Sequence, residues 1–221
     1  MQSPRFRWAF CQLEALKTLK STRPKYVKKA LEDLPRTQDA TYERMLVGID
    51  DMYREEALTA LRWLAFEYRP LSLEELAEAC IVNPSGNGNV ETEDRGAPED
   101  ILEILSGLVV VESEDWAARI GFSDNKKLRA ETLRRGERRI RLAHFSVKEY
   151  LVSRRIQDSE AAFYALQDSL VHEFIAQSCL VYLLHYSSHK DTGFEAEHWA
   201  RFPLLRYACT CLLYTSPSPR D

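Results

Sequence analysis

In residues 54–68, "REEALTALRWLAFEY", the apolar side chains fall three and four apart. Ala57, Leu61, Leu64 and Tyr68 make one stripe, and Leu58 and Ala65 widen it. A helix with so broad an apolar face must be covered by other elements. Pro70 predicts its end. Two more helix starts follow. Ser72 and Glu75 form an S-x-x-E capping box in "LSLEELAEAC". Pro98 and Gly107 bracket "PEDILEILSG" with the proline-first, glycine-last asymmetry of a helix. The period then changes. "LVVVE" is β-branched and predicts a strand. "RRIRLAHF" predicts a second, and polar residues 112–138 between them read as a long loop.

The flanks read as helices. Upstream, these are "RFRWAFCQLEALKTLK", then "PKYVKKALEDLP" with Val27, Ala30, Leu31 and Leu34 on one face, then "TYERMLVGIDDMY". "NPSGNGNV" is a turn-rich loop. Ser146 and Glu149 form a second S-x-x-E box, opening a helix to about Arg155. Residues 160–187 predict two helices, and "FPLLRYAC" begins another. The fold class is mainly α. Residues 54–155 run helix, helix, helix, strand, hairpin, strand, helix, the order of a winged helix with a small two-stranded β-wing. A helical segment precedes it and a helical connector follows. Leu61, Trp63, Leu64, Leu105, Val109 and Leu151 are the expected core.

Composition excludes several classes. The 221 residues are 45% hydrophobic and 29% charged, ordinary for a globular chain able to bury a core. A net charge of -4 gives no global pull toward nucleic acid or membrane. No run approaches the roughly 18–20 apolar residues that span a bilayer. The N-terminus turns charged at once, unlike a signal peptide. The cysteines are five, scattered, and lack a C-x-x-C pair. Free thiols in a reducing cytoplasm are expected, with no disulfide framework and no metal site.

"LAHFSVKEYL" carries the candidate chemistry. His144 and Ser146 lie two apart and would share one face of a strand. A serine nucleophile also needs an oxyanion site and a sharp turn, and no G-x-S-x-G occurs. Ser146 is better explained as a helix cap, so no catalytic residue is assigned. In the plain packing alternative Val147, Tyr150 and Leu151 cover the core, and His144 bonds a nearby carbonyl. None of the eight glycines is followed by lysine, so the chain contains no G-x-x-x-x-G-K-[ST] phosphate loop and should not hydrolyse ATP alone.

"RLAHFSVKEYL" resembles the Phe-x-His-x-Ser-x-x-Glu-Tyr/Phe pattern in the winged-helix domain of NACHT-type STAND ATPases, the NLR-like signal-transduction switches. Leu142 stands where many members carry Phe. "FRWAFCQLEALK", "LEDLPRTQDATYERML", "REEALTALRWLAFEYRPLSLEELAEA", "DILEILSGLVVVE" and "AQSCLVYLLHYS" extend the resemblance, in order, over most of residues 5–209. It is nearest the fungal branch, in which the NACHT module precedes ankyrin or other repeats.

The resemblance implies a fragment of a cytoplasmic switch. Residues 1–50 would be the helical C-terminal end of the NACHT module, and 51–157 the winged helix. That winged helix is of the kind also labelled after GPI inositol-deacylase, a label of shape and not activity. Residues 158–210 would be a helical connector toward repeats. By resemblance His144 faces ADP held by the upstream nucleotide module and donates to its β-phosphate, locking the resting state. This segment would hold no cofactor of its own, while the full-length protein would use ATP and ADP. Its partners would be the upstream NACHT module and the downstream repeats, with oligomerisation on activation and no membrane. "QSPR" replaces the Gly-Met that family members carry ahead of the Phe-x-Trp segment. Residues 211–221, "CLLYTSPSPRD", resemble the conceptual translation of a transposase adapter used in sequencing libraries over eleven consecutive codons, and are set aside from the fold.

A competing reading is a nucleic-acid-binding winged helix. Lys126, Lys127, Arg129, Arg134, Arg135, Arg138, Arg139 and Arg141 crowd the basic wing 126–141 and could neutralise phosphates. Against it, "PEDILEILS" would enter the major groove with Glu99, Asp100 and Glu103 and none of the side chains that commonly read guanine or adenine. Nucleic acid is therefore the disfavoured partner.

Overall fold

The structure is a computed structural model, and it describes residues 23–32, 34–35, 37–85, 88–112, 138–189 and 201–215. The expected helix over residues 5–20 and the loop 113–137 lie outside the described residues. The protein is mainly α with a small β element.

Helix α1 (Pro24–Glu32) buries none of its residues. On its expected apolar face Val27 and Ala30 are partly buried, and Leu31 is half exposed. Helix α2 (Gln38–Val47) is capped by Thr37, whose hydroxyl accepts from Ala40 N–H at 3.1 Å. It buries Thr41, Tyr42 and Leu46.

Helix α3 (Arg54–Phe66) is the centre of the molecule, with Ala57, Leu58, Ala60, Leu61, Trp63, Leu64 and Ala65 buried. It stops short of Pro70, leaving Tyr68 outside the helix. Glu67 is already extended, and its carboxylate accepts from Leu71 N–H at 3.2 Å, closing the turn. Proline disfavours helical backbone at the residue before it, so the chain leaves the helix ahead of Arg69.

Strand β1 (Leu71–Ser72) leads straight into α4 (Leu73–Cys80). The Ser72–Glu75 capping box forms as the spacing predicts, with both reciprocal bonds present. A short hairpin follows, β2 (Val82–Asn83) against β3 (Asn89–Val90), where the sequence had suggested only a loop. Val82 opposite Val90 gives it an apolar contact with the core. Helix α5 is short (Asp100–Ile104), and Gly107 turns the chain with φ +78°, a conformation costly for other residues.

Strands β4 (Val109–Glu112) and β5 (Arg139–Leu142) pair antiparallel, as their composition predicts. The sheet has a third, unforeseen member. Leu71 pairs with Ile140 and Ser72 with Arg139, giving the order β1-β5-β4. In β5, Ile140 and Leu142 point inward while Arg139 and Arg141 point away. A slip of one residue would drive two arginines into the core, so the register is fixed.

Helix α6 (Phe145–Leu151) and the short α7 (Arg154–Gln157) replace one expected helix. Ser153 breaks it, its hydroxyl donating to Tyr150 O at 2.8 Å. After a 3₁₀ turn (Ala162–Tyr164), residues 168–188 form one helix, α8 (Asp168–Ser188), not two. No Gly or Pro interrupts it. Helix α9 (Leu205–Thr215) packs on α8. Leu61, Trp63, Leu64, Leu105 and Leu151 are buried as expected, and Val109 is partly buried against the same core.

Candidate functional site

His144 sits where β5 gives way to α6. Its backbone is extended (φ -160°, ψ 151°), so the side chain reaches forward over the helix start. The ring Nδ1 accepts from Ser146 N–H at 3.2 Å and lies 2.7 Å from Ser146 Oγ. His144 is thus the cap of α6. Ser146 is not the cap that the S-x-x-E spacing suggested, and Glu149 is exposed. Ser146 is the second residue of α6 and faces α2.

There its hydroxyl meets two side chains from far upstream. Tyr42 OH lies 2.8 Å from Ser146 Oγ, and Gln38 Nε2 donates to Ser146 Oγ at 2.7 Å and to Tyr42 OH at 2.8 Å. Tyr42 is fully buried, with its ring centroid 6.0 Å from that of Tyr150. Around this centre, Arg155 pairs with Asp39 at 2.6 Å, and Glu160 N–H donates to Glu43 Oε1 at 3.0 Å. The sequence pointed to His144 and Ser146. It offered no signal for Gln38 or Tyr42, which are 108 and 104 residues from Ser146. The His144–Ser146 distance is that of a nucleophile and its base. Yet Ser146 is buried beneath Tyr42 and Gln38, so its oxygen is turned to the α2 seam instead of a cleft.

Of the basic wing, Lys126, Lys127, Arg129, Arg134 and Arg135 lie outside the described residues. Arg138 pairs with Glu99 and, at 3.9 Å, with Glu74. Arg138 holds the exposed Glu99 carboxyl below its ordinary range. Arg139 donates to Pro70 O at 2.8 Å and approaches Glu75 at 3.4 Å. Arg69 grips the same Glu75 with both guanidinium nitrogens, at 2.7 and 2.6 Å. Arg141 donates to Leu142 O at 3.2 Å. Beneath these arginines Glu67 is pushed up to about 8, because burial outweighs the Leu71 bond and the nearby positive charges.

A second polar centre lies between α4 and α8. Glu78, 4% exposed, receives a two-nitrogen grip from Arg95 and the Tyr182 hydroxyl at 2.9 Å. Arg95 also donates to Arg201 O at 3.1 Å, tying α4 to the helices that follow. Burial, followed by the Glu78 charge, pushes the Tyr182 hydroxyl up. Beside it Trp63 meets Tyr207 edge-on at 5.5 Å, and Arg69 lies 4.8 Å over the same Tyr207 ring.

Cys80, Cys179, Cys209 and Cys211 are free thiols. Among the described residues no group of three or more His, Cys, Asp and Glu is placed to hold a metal ion, and no helix is long and apolar enough to cross a membrane.

The chain is similar to a Monascus ruber protein described as "azaphilone pigments biosynthesis cluster protein L". The two are 35% identical over 156 residues, which is 70% of this chain and 29% of the relative. The similarity therefore spans less than a third of a longer protein. No family model matches the chain, and no solved structure matches it.

Proposed function

We propose that this chain is the regulatory, interaction-bearing region of a cytoplasmic NACHT-type STAND ATPase, acting as a switch without catalysis of its own. Residues 1–50 close the NACHT module, 51–157 form the winged helix, and 158–210 connect toward repeats. The winged helix holds the ADP-bound resting state. ADP, held by the upstream module, supplies a charged phosphate for a donor to recognise. His144 is that donor, and the network behind it fits the task.

The observation that carries the reading is the protonation pattern at His144. Its Nδ1 accepts from Ser146 N–H, so a neutral ring carries its proton on Nε2. A donor on Nε2 suits a phosphate oxygen, and a charge-assisted bond of that kind contributes about 1.5–3 kcal/mol. A two-state switch needs a bias of only a few kcal/mol. The helix–sheet order and the length of the Monascus ruber relative, most of which lies beyond the matched segment, support a part of a larger machine. The nucleic-acid reading draws less support, since Arg138 and Arg139 are engaged with Glu99, Glu74 and Glu75.

Long-read sequencing of the transcript tests this. The reading expects the frame to extend upstream into a G-x-x-x-x-G-K-[ST] loop and downstream past Thr210 without the adapter codons. A message that starts at Met1 and ends at Asp221 would remove the nucleotide role and leave a free-standing adaptor.

A further inference from the structure

We infer that Gln38 and Tyr42 are positioning residues for His144: by donating to Ser146 Oγ they hold the serine hydrogen on His144 Nδ1, the nitrogen that the Ser146 backbone N–H already makes an acceptor. Once the Ser146 backbone N–H makes His144 Nδ1 an acceptor, the donor count at the seam has one solution. Gln38 Nε2 has two hydrogens and no lone pair to offer, so it donates to both of its neighbours, Tyr42 OH and Ser146 Oγ. Tyr42 accepts that bond and spends its one hydrogen on Ser146 Oγ, 2.8 Å away. Ser146 Oγ now accepts twice, so its own hydrogen goes to His144 Nδ1 at 2.7 Å. The Ser146 backbone N–H reaches the same nitrogen at 3.2 Å. Both donors demand a lone pair on Nδ1, and the proton belongs on Nε2.

The chain of donors begins at Gln38, on α2, 106 residues before the histidine. Orientation of the ring and contact between α2 and α6 are thereby one event. If α2 withdraws, Ser146 Oγ loses the two donors that hold its hydrogen toward Nδ1. Each member of the chain is neutral, so the seam can part without stranding a buried charge. Aligned hydroxyls polarise one another, so a break at Tyr42 is felt at the ring two bonds away. The use of Nε2 as a phosphate donor rests on the proposed function, whereas the tautomer does not.

The test is long-range proton–nitrogen correlation spectroscopy of the full chain with nitrogen-15 histidine, His144 being assigned by the signals lost in His144→Gln. The wild type should show an unprotonated Nδ1 and a protonated Nε2. In Tyr42→Phe and in Ser146→Ala the Nδ1 signal should move toward that of an unbonded nitrogen, and Ser146→Thr, which keeps the hydroxyl, should restore it. Backbone spectra report whether each variant is folded. A protonated Nδ1 in the wild type overturns the inference, as does an Nδ1 signal unmoved in both Tyr42→Phe and Ser146→Ala. ADP is not involved in this readout. Loss of the relay with ADP retention still dependent on His144 would therefore remove this inference alone, and the reverse result would remove only the switch.

Discussion

The central body is gripped on two sides by different chemistry. Against α2 the contact is a small neutral network of Gln38, Tyr42, Ser146 and His144, edged by one exposed ion pair, Asp39–Arg155. Against α8 and α9 it is aromatic and charged: Trp63 on Tyr207, Arg69 over the same ring, and buried Glu78 shared by Arg95 and Tyr182. Neutral hydroxyl bonds exchange readily with water and contribute about 1 kcal/mol each. A buried carboxylate cannot leave its partners without a much larger penalty. Parting the α2 seam therefore carries the smaller penalty of the two.

Disruptions should rank accordingly. Tyr207→Ala removes a fully buried ring and should cost about 3–5 kcal/mol in chemical denaturation, with α8 and α9 becoming sensitive to limited proteolysis. If the protein loses less than about 1 kcal/mol, that seam is not the rigid one. Glu78→Gln weakens the grip of Arg95 and should cost about 1–3 kcal/mol, a loss visible as a lower denaturation midpoint. Tyr42→Phe keeps the ring and deletes one hydroxyl. About 1 kcal/mol is expected, confined to faster hydrogen exchange at the start of α6, with α8 unchanged. Faster exchange spreading into α8 would show that the two seams are a single unit.

A separate effect concerns pH. Glu67 titrates at about 8 in the folded protein against an ordinary 4.5. The folded state therefore holds a proton that the unfolded chain has released, and this contribution to stability is complete below pH 4.5 and lost as pH rises toward 8. Stability of the wild type relative to Glu67→Gln should fall across that window and level off above it. Parallel stability curves would show that Glu67 is ionised throughout.

Much of the fold was legible because its signals are local. The stripe of α3 and the Ser72–Glu75 box depend on residues three or four apart, and the alternation in β5 on residues two apart. What escaped depends on distant partners. Strand β1 is two residues long and exists only because β5 lies beside it. The same S-x-x-E spacing that identified Ser72 misplaced the cap at Ser146, because a histidine two residues earlier competes for the role and Tyr42 draws the hydroxyl away. The Glu78 centre joins residues 17 and 104 positions apart, and no sequence window contains it.

His144 is proposed to hold a resting nucleotide, and the direct measurement is ADP retention. The proposed full-length protein, with the nucleotide module expected upstream, should be purified as wild type and as His144→Leu, and its bound ADP and dissociation rate compared. Loss of a charge-assisted bond predicts retention about ten- to a hundred-fold weaker in His144→Leu. ADP held equally by both proteins would contradict the account.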